Sequence, residues 1–329
     1  MDKRRCPVLF LLAVLLGTAA CGSDNNAGSG SGSLPIPVQS WVLVEGGPTV
    51  PGLHSQGLAR LPRISPNDFA FTSRFTIDRV TDGKVVRLGP AFNQELLDVG
   101  FDHLGDPDAY GTLVFGGLED NSAPVVAPYH RGFVVFDSET LSIVGWANDP
   151  GSANRPGDGD CPWVAVSPDG EWVVTGQWAP MLSLIVYRAM ELVSAHTVHQ
   201  VGEIPIEPSI SDIQGCDFDG PQVLLCASDN ADAGRLIYSI TLSGPLQGET
   251  LPRLTGHVEP LFPAPVPEKV CDNPEEVEGV DVDGDTLRVL VLGSCAIDSY
   301  LYRYERCKGE CPQERGGDAE QAFQEMNRP

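Results

Sequence analysis

Five short phrases along this 329-residue chain resemble one another. Their alignment brings a set of polar side chains to matching positions. The matched positions are Gln56, Val99, Cys161, Gln214 and Glu278; His54, Asp98, Asp160, Asp212 and Glu276 lie within two residues of them. Carboxylates and amides gathered in a ring suit a hard cation such as Ca²⁺, which takes roughly six to eight oxygen ligands. The same groups also suit an organic ligand, or hold water and one another. His54 and Gln56 are two residues apart, which on a strand places both side chains on one face. An imidazole there has the chemistry of a general base or a ligand, and equally that of a satisfied interior group.

Other polar clusters read as scaffolding. Asp281-Val282-Asp283-Gly284-Asp285 has the composition of a calcium loop, but its glycine falls fourth and no Glu follows at the twelfth place. A hairpin turn accounts for it. His196 and His199 lack the glutamate of a metalloprotease helix and are assigned to an outer strand. The acidic run from Asp98 through Asp102, His103 and Asp106 to Asp108 is assigned to a solvated hairpin loop. Gly-x-Ser-x-Gly elbows, phosphate-binding loops and nucleotide fingerprints are absent from the sequence.

Seven cysteines follow Cys21, a usage that fits an oxidising compartment. In hairpins turning at Asp219-Gly220 and Asp283-Gly284, Cys216 faces Cys226 and Cys271 faces Cys295, near disulfide distance. Cys307 and Cys311 can close a small loop; a zinc site there would need a second Cys or His pair, which the spacing does not supply. Cys161 is left without a partner.

The phrases begin at Gln56, Val99, Cys161, Gln214 and Glu278, at intervals of about 43, 62, 53 and 64 residues. Each is a strand, a tight Asp/Asn/Gly/Pro turn and a second strand. A third strand rich in β-branched and aromatic residues follows over 75–80, 132–137, 183–187, 235–242 and 299–304. A weaker fourth strand is read at 84–88, 142–147, 195–200 and 253–258. Four antiparallel strands per repeat make the blade of a β-propeller, an all-β fold of about five blades, with six as the alternative because two intervals are long. The last repeat lacks a fourth strand, and Trp41–Glu45 lacks a hairpin partner. Setting that segment beside 299–304 completes the last blade and closes the ring. Helical periodicity is confined to 318–326.

Val166-Ser167-Pro168-Asp169-Gly170-Glu171-Trp172-Val173-Val174 resembles the turn of TolB-like, YncE-like and lactonase-type propeller repeats, and Ser65-Pro66-Asn67-Asp68 is similar to it. Proline presets φ, and Asp and Gly accommodate the reversal. The resemblance implies the fold and no single activity. Calcium-dependent lactonase propellers usually carry Glu-Gly at a first-strand start together with Asn and Asp ligands. Glu278-Gly279 matches the first part, and no Asn stands at the other ring positions. The repeated Trp motifs of quinone-dependent dehydrogenase propellers are missing as well.

Lys3, Arg4 and Arg5 precede an apolar stretch from Pro7 to Leu16, too short to span a bilayer, and then Thr18-Ala19-Ala20-Cys21. This segment resembles a bacterial lipoprotein signal, which implies lipidation (palmitate among the chains) at Cys21; Thr18 stands where Leu is usual. Residues 22–33 are Gly, Ser, Asn and Asp with one Ala, the composition of a flexible tether. Gly22 after the lipidated cysteine resembles the outer-membrane sorting pattern.

The expected organisation is a signal over 1–20, a tether over 21–33, a propeller over 34–306 and a Cys-bridged polar tail over 307–329. A net charge of −24 argues against nucleic acid or anionic lipid head groups as partners. The expected function is a lipid-anchored envelope protein that binds or scaffolds another envelope protein or a small ligand. The alternative is a calcium-dependent hydrolase working through the central channel. Ca²⁺ is the one cofactor these residues leave open.

Overall fold

The computed structural model describes residues 40–49, 54–61, 65, 67–119, 131–152, 161–295 and 298–308. The chain enters on β1 (Trp41–Pro48). Blade 1 follows as β2 (Gly57–Arg60), β3 (Asp68–Ser73), β4 (Thr76–Thr81) and β5 (Lys84–Pro90). Helix α1 (Gln94–Val99) leads into blade 2: β6 (His103–Tyr110), β7 (Leu113–Glu119), β8 (Arg131–Asp137) and β9 (Ile143–Asp149). Blade 3 is β10 (Ala165–Val166), β11 (Trp172–Thr175) and β12 (Met181–Arg188), then helix α2 (Ala189–Ser194) and β13 (Gly202–Ile210). Blade 4 is β14 (Ile213–Phe218), β15 (Val223–Ser228), β16 (Leu236–Leu242) and β17 (Gly256–Pro263). Blade 5 is β18 (Glu276–Asp283), β19 (Thr286–Leu292) and β20 (Ser299–Arg306), with β1 as its outer strand.

The first strands β2, β6, β10, β14 and β18 pack side by side around one axis, and β18 meets β2 to close the circle. The ring has five blades, which removes the six-blade alternative. Closure takes the expected form: β1 runs antiparallel to β20, from Trp41 opposite Arg306 to Pro48 opposite Tyr300, with a bulge after Leu43. Blades 3 and 4 are also joined at their rims, where Ile206 and Glu207 pair in parallel with Gly256 and His257.

Period-two patterning explains the layers between blades. On β7 and β8, Val114, Val134 and Phe136 face blade 1, whereas Phe115, Phe133 and Val135 face blade 3. Middle strands buried on both faces therefore read as continuous apolar runs. Outer strands do not; β5 is exposed over most of its length. The turns between the first two strands of a blade take their left-handed residue from glycine, as at Gly170 between β10 and β11 (φ 76°) and Gly220 between β14 and β15 (φ 75°).

Cys216 lies opposite Cys226 in the β14–β15 ladder and is bridged to it, and Cys271 is bridged to Cys295. Cys307 is disulfide-bonded, but Cys311 lies outside the described residues. Cys161 is a buried free thiol.

Three expectations need correction. The second phrase does not open a strand at Val99: residues 94–99 are α1, capped by the Asn93 side chain and ended by Gly100 at φ 111°. The acidic run beyond it is not a solvated loop, because from His103 to Asp108 it forms the inner strand of blade 2. The fourth strand of blade 3 is 202–210 rather than 195–200, and His196 and His199 lie in the connection before it. The helix expected over 318–326 lies outside the described residues. No helix among those described is long and apolar enough to cross a membrane.

Candidate functional site

The axis is organised by a β-bulge at the start of the inner strands. Gln214 and Glu278 are the bulged residues before Gly215 and Gly279. Gln56 stands likewise before Gly57, where the N–H groups of Ser55 and Gln56 both donate to the Thr72 carbonyl. In blade 2 the irregularity falls between Leu104 and Pro107, so Asp106 takes the place that glycine holds in blades 1, 4 and 5. Its side chain crosses the axis. Leu58 N–H donates to Oδ1 (2.9 Å) and Val280 N–H to Oδ2 (3.3 Å). The glycines make room for it: a Cβ on Gly57 would run into the Asp106 carboxylate, and one on Gly279 would sit 2.6 Å from Oδ1.

Two residues further along, three more aspartates link consecutive blades. Asp108 Oδ2 accepts from Val166 N–H of blade 3 (2.6 Å), and Asp217 Oδ2 from Val282 N–H of blade 5 (2.6 Å). Asp281 Oδ1 accepts from Arg60 N–H of blade 1 (2.8 Å), while its Oδ2 takes Arg288 Nη1 (2.7 Å). Each carboxylate satisfies an inner-strand N–H that has no ladder partner on that side.

Burial raises all four carboxyls. Asp106 and Asp217 are pushed well above the usual carboxylate range, and Asp108, the least buried, is pushed up to about 7. Asp281 is raised by the same loss of solvent, against the lowering pull of Arg288. A carboxyl whose folded value is raised contributes stability that is present below its unfolded value and lost as pH rises through the folded one. The domain is therefore expected to resist urea better at about pH 5 than at about pH 8, with Asp108 titrating inside that window. Asp108→Asn should shrink the difference. Equal urea midpoints in the parent protein at both pH values would show that the axial acids do not titrate there.

At the mouth where the inner strands begin, Glu278 is buried, and its Oε1 has no hydrogen-bond partner among the described residues. Burial pushes its carboxyl well above the usual range, and Glu276, which shares a hydrogen bond with it, adds to the rise. Nearby, Asp229 Oδ1 accepts from Val277 N–H (3.0 Å) and Arg235 Nε (2.9 Å).

Of the residues expected at the ring, Gln56, Gln214 and Glu278 do occupy equivalent positions at this mouth. Gln56 Nε2 is turned back onto the Ser55 carbonyl (2.8 Å). Asp212 is a turn residue (φ 56°), with its N–H on the Trp178 carbonyl (2.8 Å). Asp98 is exposed on α1 and accepts from Gln94 Nε2 (2.8 Å), far from its expected place because blade 2 begins later. Asp160 lies outside the described residues. His54 does not share a face with Gln56: its ring stacks on Phe71 (4.1 Å) and points at Asp78 of β4, between blades 5 and 1.

Chains of known structure that resemble this one include a luciferin-regenerating enzyme, at 16% identity over 76% of this chain and 77% of that one, with a TM-score of 0.42. A GH43_1 enzyme from Xanthomonas citri complexed with xylose follows at 12%, 81%, 91% and 0.48, in the same order. A glucose dehydrogenase stands at 11%, 82%, 100% and 0.41. No family model and no curated protein matches the chain. These likenesses assign no activity; the architecture rests on the chain's own strand pairing.

Cys161 is packed rather than reactive. Burial pushes its thiol up to about 12, and its sulfur sits 3.5 Å from Thr175 Oγ1. Its N–H donates to Glu119 Oε1 (2.9 Å), whose other oxygen meets His103 Nδ1 (3.0 Å). Among the described residues no three His, Cys, Asp or Glu side chains are grouped closely enough to hold a metal ion.

The functional reading of the sequence missed the axial aspartates. A signal for two of them was present: Gly215-Cys-Asp217 and Gly279-Val-Asp281 repeat one spacing from the ring glycine.

Proposed function

We propose that this chain is a lipid-anchored propeller of the bacterial cell envelope, held at the outer membrane through Cys21, that binds or scaffolds an envelope protein or a small ligand. The observation that carries the reading is the use of the axial carboxylates. Asp106, Asp108, Asp217 and Asp281 are spent on backbone N–H groups of neighbouring blades, so the axis is a structural plug and the loops around it are what is left to make contacts. The lipoprotein-like segment before Cys21 and the Gly/Ser/Asn tether after it support the anchor.

Cys21→Ser is expected to release the protein to the soluble fraction or to leave an unprocessed precursor, read by fractionation and intact mass. Unchanged membrane association and mass would refute the anchor.

The calcium-dependent hydrolase keeps one specific support, the buried and unbonded Glu278 Oε1. Of the other oxygen donors, Gln56 is turned onto the Ser55 carbonyl, Asp98 is held by Gln94 on α1, Asp106 accepts from Leu58 N–H, and Asp160 lies outside the described residues. A calcium-dependent rise in melting temperature that Glu278→Gln abolishes would favour the hydrolase over the scaffold.

A further inference from the structure

Strand polarity sorts the connections between the two ends of the ring. At the mouth lie the turns between second and third strands and the passages from one blade to the next. The other turns lie at the opposite end, where acids are matched by cations. Asp283 pairs with Arg60, Glu171 with Arg188, Asp219 with Arg306 and Asp285 with Lys308.

Around blades 4 and 5 the mouth is different. Asp212, Asp232, Glu268, Asp272, Glu276 and Asp298 form no ion pair among the described residues. The cations in these connections are Arg235 and Lys269, and Arg235 is already spent on Asp229 and the Glu275 carbonyl. Apolar groups stand among the acids: Trp178 is 46% exposed, Leu182 58% and Val270 74%.

The loops that carry these groups are tied to one another. The Trp178 carbonyl accepts from Asp212 N–H (2.8 Å), and the Asp212 carbonyl from Asp229 N–H (2.8 Å). Ser294 Oγ accepts from the N–H groups of Val270 (2.8 Å) and Cys271 (2.9 Å), beside the Cys271–Cys295 bridge. A surface held in this way loses little freedom when it is covered. Beneath it, Glu278 is 1% exposed and shares a hydrogen bond with Glu276. Its Oε1 has no partner among the described residues. A cation arriving beside Glu276 therefore meets a second carboxyl that no protein donor satisfies.

The open acids repel nucleic acid and anionic head groups. No three of them are grouped closely enough to hold a metal ion. The exposed indole and aliphatic side chains call for apolar neighbours as well. We infer that this sector of the mouth docks a segment of a partner protein in which Lys or Arg alternates with apolar residues. The inference rests on the binding reading above and supplies the chemistry of the partner.

The test uses the full chain in detergent at physiological salt, where diffuse attraction is screened, with a detergent-only blank. The probes are short capped peptides built from repeats of Lys-Leu-Gly, Glu-Leu-Gly and Lys-Ser-Gly, titrated by calorimetry. The Lys-Leu-Gly peptide is expected to bind with a dissociation constant on the order of 100 μM or tighter. The other two should bind about tenfold more weakly, for want of charge in one case and of apolar contact in the other. Asp232→Lys combined with Asp272→Lys should weaken the Lys-Leu-Gly peptide about tenfold. Glu139→Lys with Glu191→Lys makes the same change of charge at the opposite end and should leave affinity within about twofold. Trp178→Ala should also cost about tenfold. All five side chains are exposed, so the variants are expected to fold, and their melting temperatures check this. Absence of Lys-Leu-Gly binding would overturn the surface. So would equal binding of the acidic peptide, equal weakening by the two lysine pairs, or no effect of Trp178→Ala. Cys21→Ser reports on the anchor and the calcium-dependent melting shift on the hydrolase, so failure of this surface is read apart from theirs.

Discussion

Deletion of residues 41–48 is expected to unfold the whole ring rather than fray one blade. β1 is the outer strand of blade 5 although it comes first in the chain, so it ties the two ends of the propeller together. Removing it strips the ladder from the outer edge of β20. It also withdraws Trp41, under the Arg306 guanidinium at 4.5 Å, and Leu43 from the layer that holds Tyr302 and Tyr304. Each buried apolar side chain is worth roughly 1.5–3 kcal/mol, and each net hydrogen bond about 1 kcal/mol. The sum approaches the total stability of a typical domain, about 5–15 kcal/mol. Blade 5 also holds the Asp281 bond to blade 1, so its loss propagates around the circle. Thermal unfolding followed by near-UV circular dichroism should show no cooperative transition in this variant. Deleting residues 22–32 should leave the parent transition in place. A cooperative transition within a few degrees of the parent after deletion of 41–48 would mean that closure does not carry stability.

That closure was legible because two incomplete elements, a lone strand at one end and a three-stranded repeat at the other, satisfy each other's backbone groups. The turns were legible for a similar reason. Pro168-Asp169-Gly170 and Asp283-Gly284 state a local backbone requirement that tertiary context does not override. Blade 2 was not, because its inner strand carries His103, Asp106 and Asp108, and charge reads as solvent. Buried carboxylates that accept main-chain N–H groups invert that inference, and only the neighbouring strand reveals the donors. The fourth strand of blade 3 was hidden by Pro205 and Pro208, which argue against a central strand but are tolerated at a blade's rim. At the candidate site, the equivalent positions of Gln56, Gln214 and Glu278 in their blades were legible through the repeat. His54 was misplaced because a bulge lies between it and the strand, and alternation does not survive a bulge.

Replacing Asp106 should be the most damaging single change at the axis. Asp106→Ala leaves the N–H groups of Leu58 and Val280 without an acceptor, at positions sealed from solvent. At about 1–3 kcal/mol for each orphaned donor, and with the void added, the expected loss is roughly 3–6 kcal/mol. Asp106→Asn should cost less, because the carboxyl's preference for its neutral form means that loss of charge is not the penalty. What remains is one N–H facing an amide nitrogen. The strongest check is coupling with the glycines. Gly57→Ala drives its Cβ into the Asp106 carboxylate and should be severely destabilising alone. Combined with Asp106→Gly, the same alanine no longer meets the carboxylate, although the residue-106 Cα and the Pro107 ring still crowd it, and the double variant should lose less than the sum of the two single losses. Strict additivity in urea unfolding would show that the glycines and the aspartate are not packed against one another. Asp106 would then no longer explain why blades 1, 4 and 5 carry glycine at the same place.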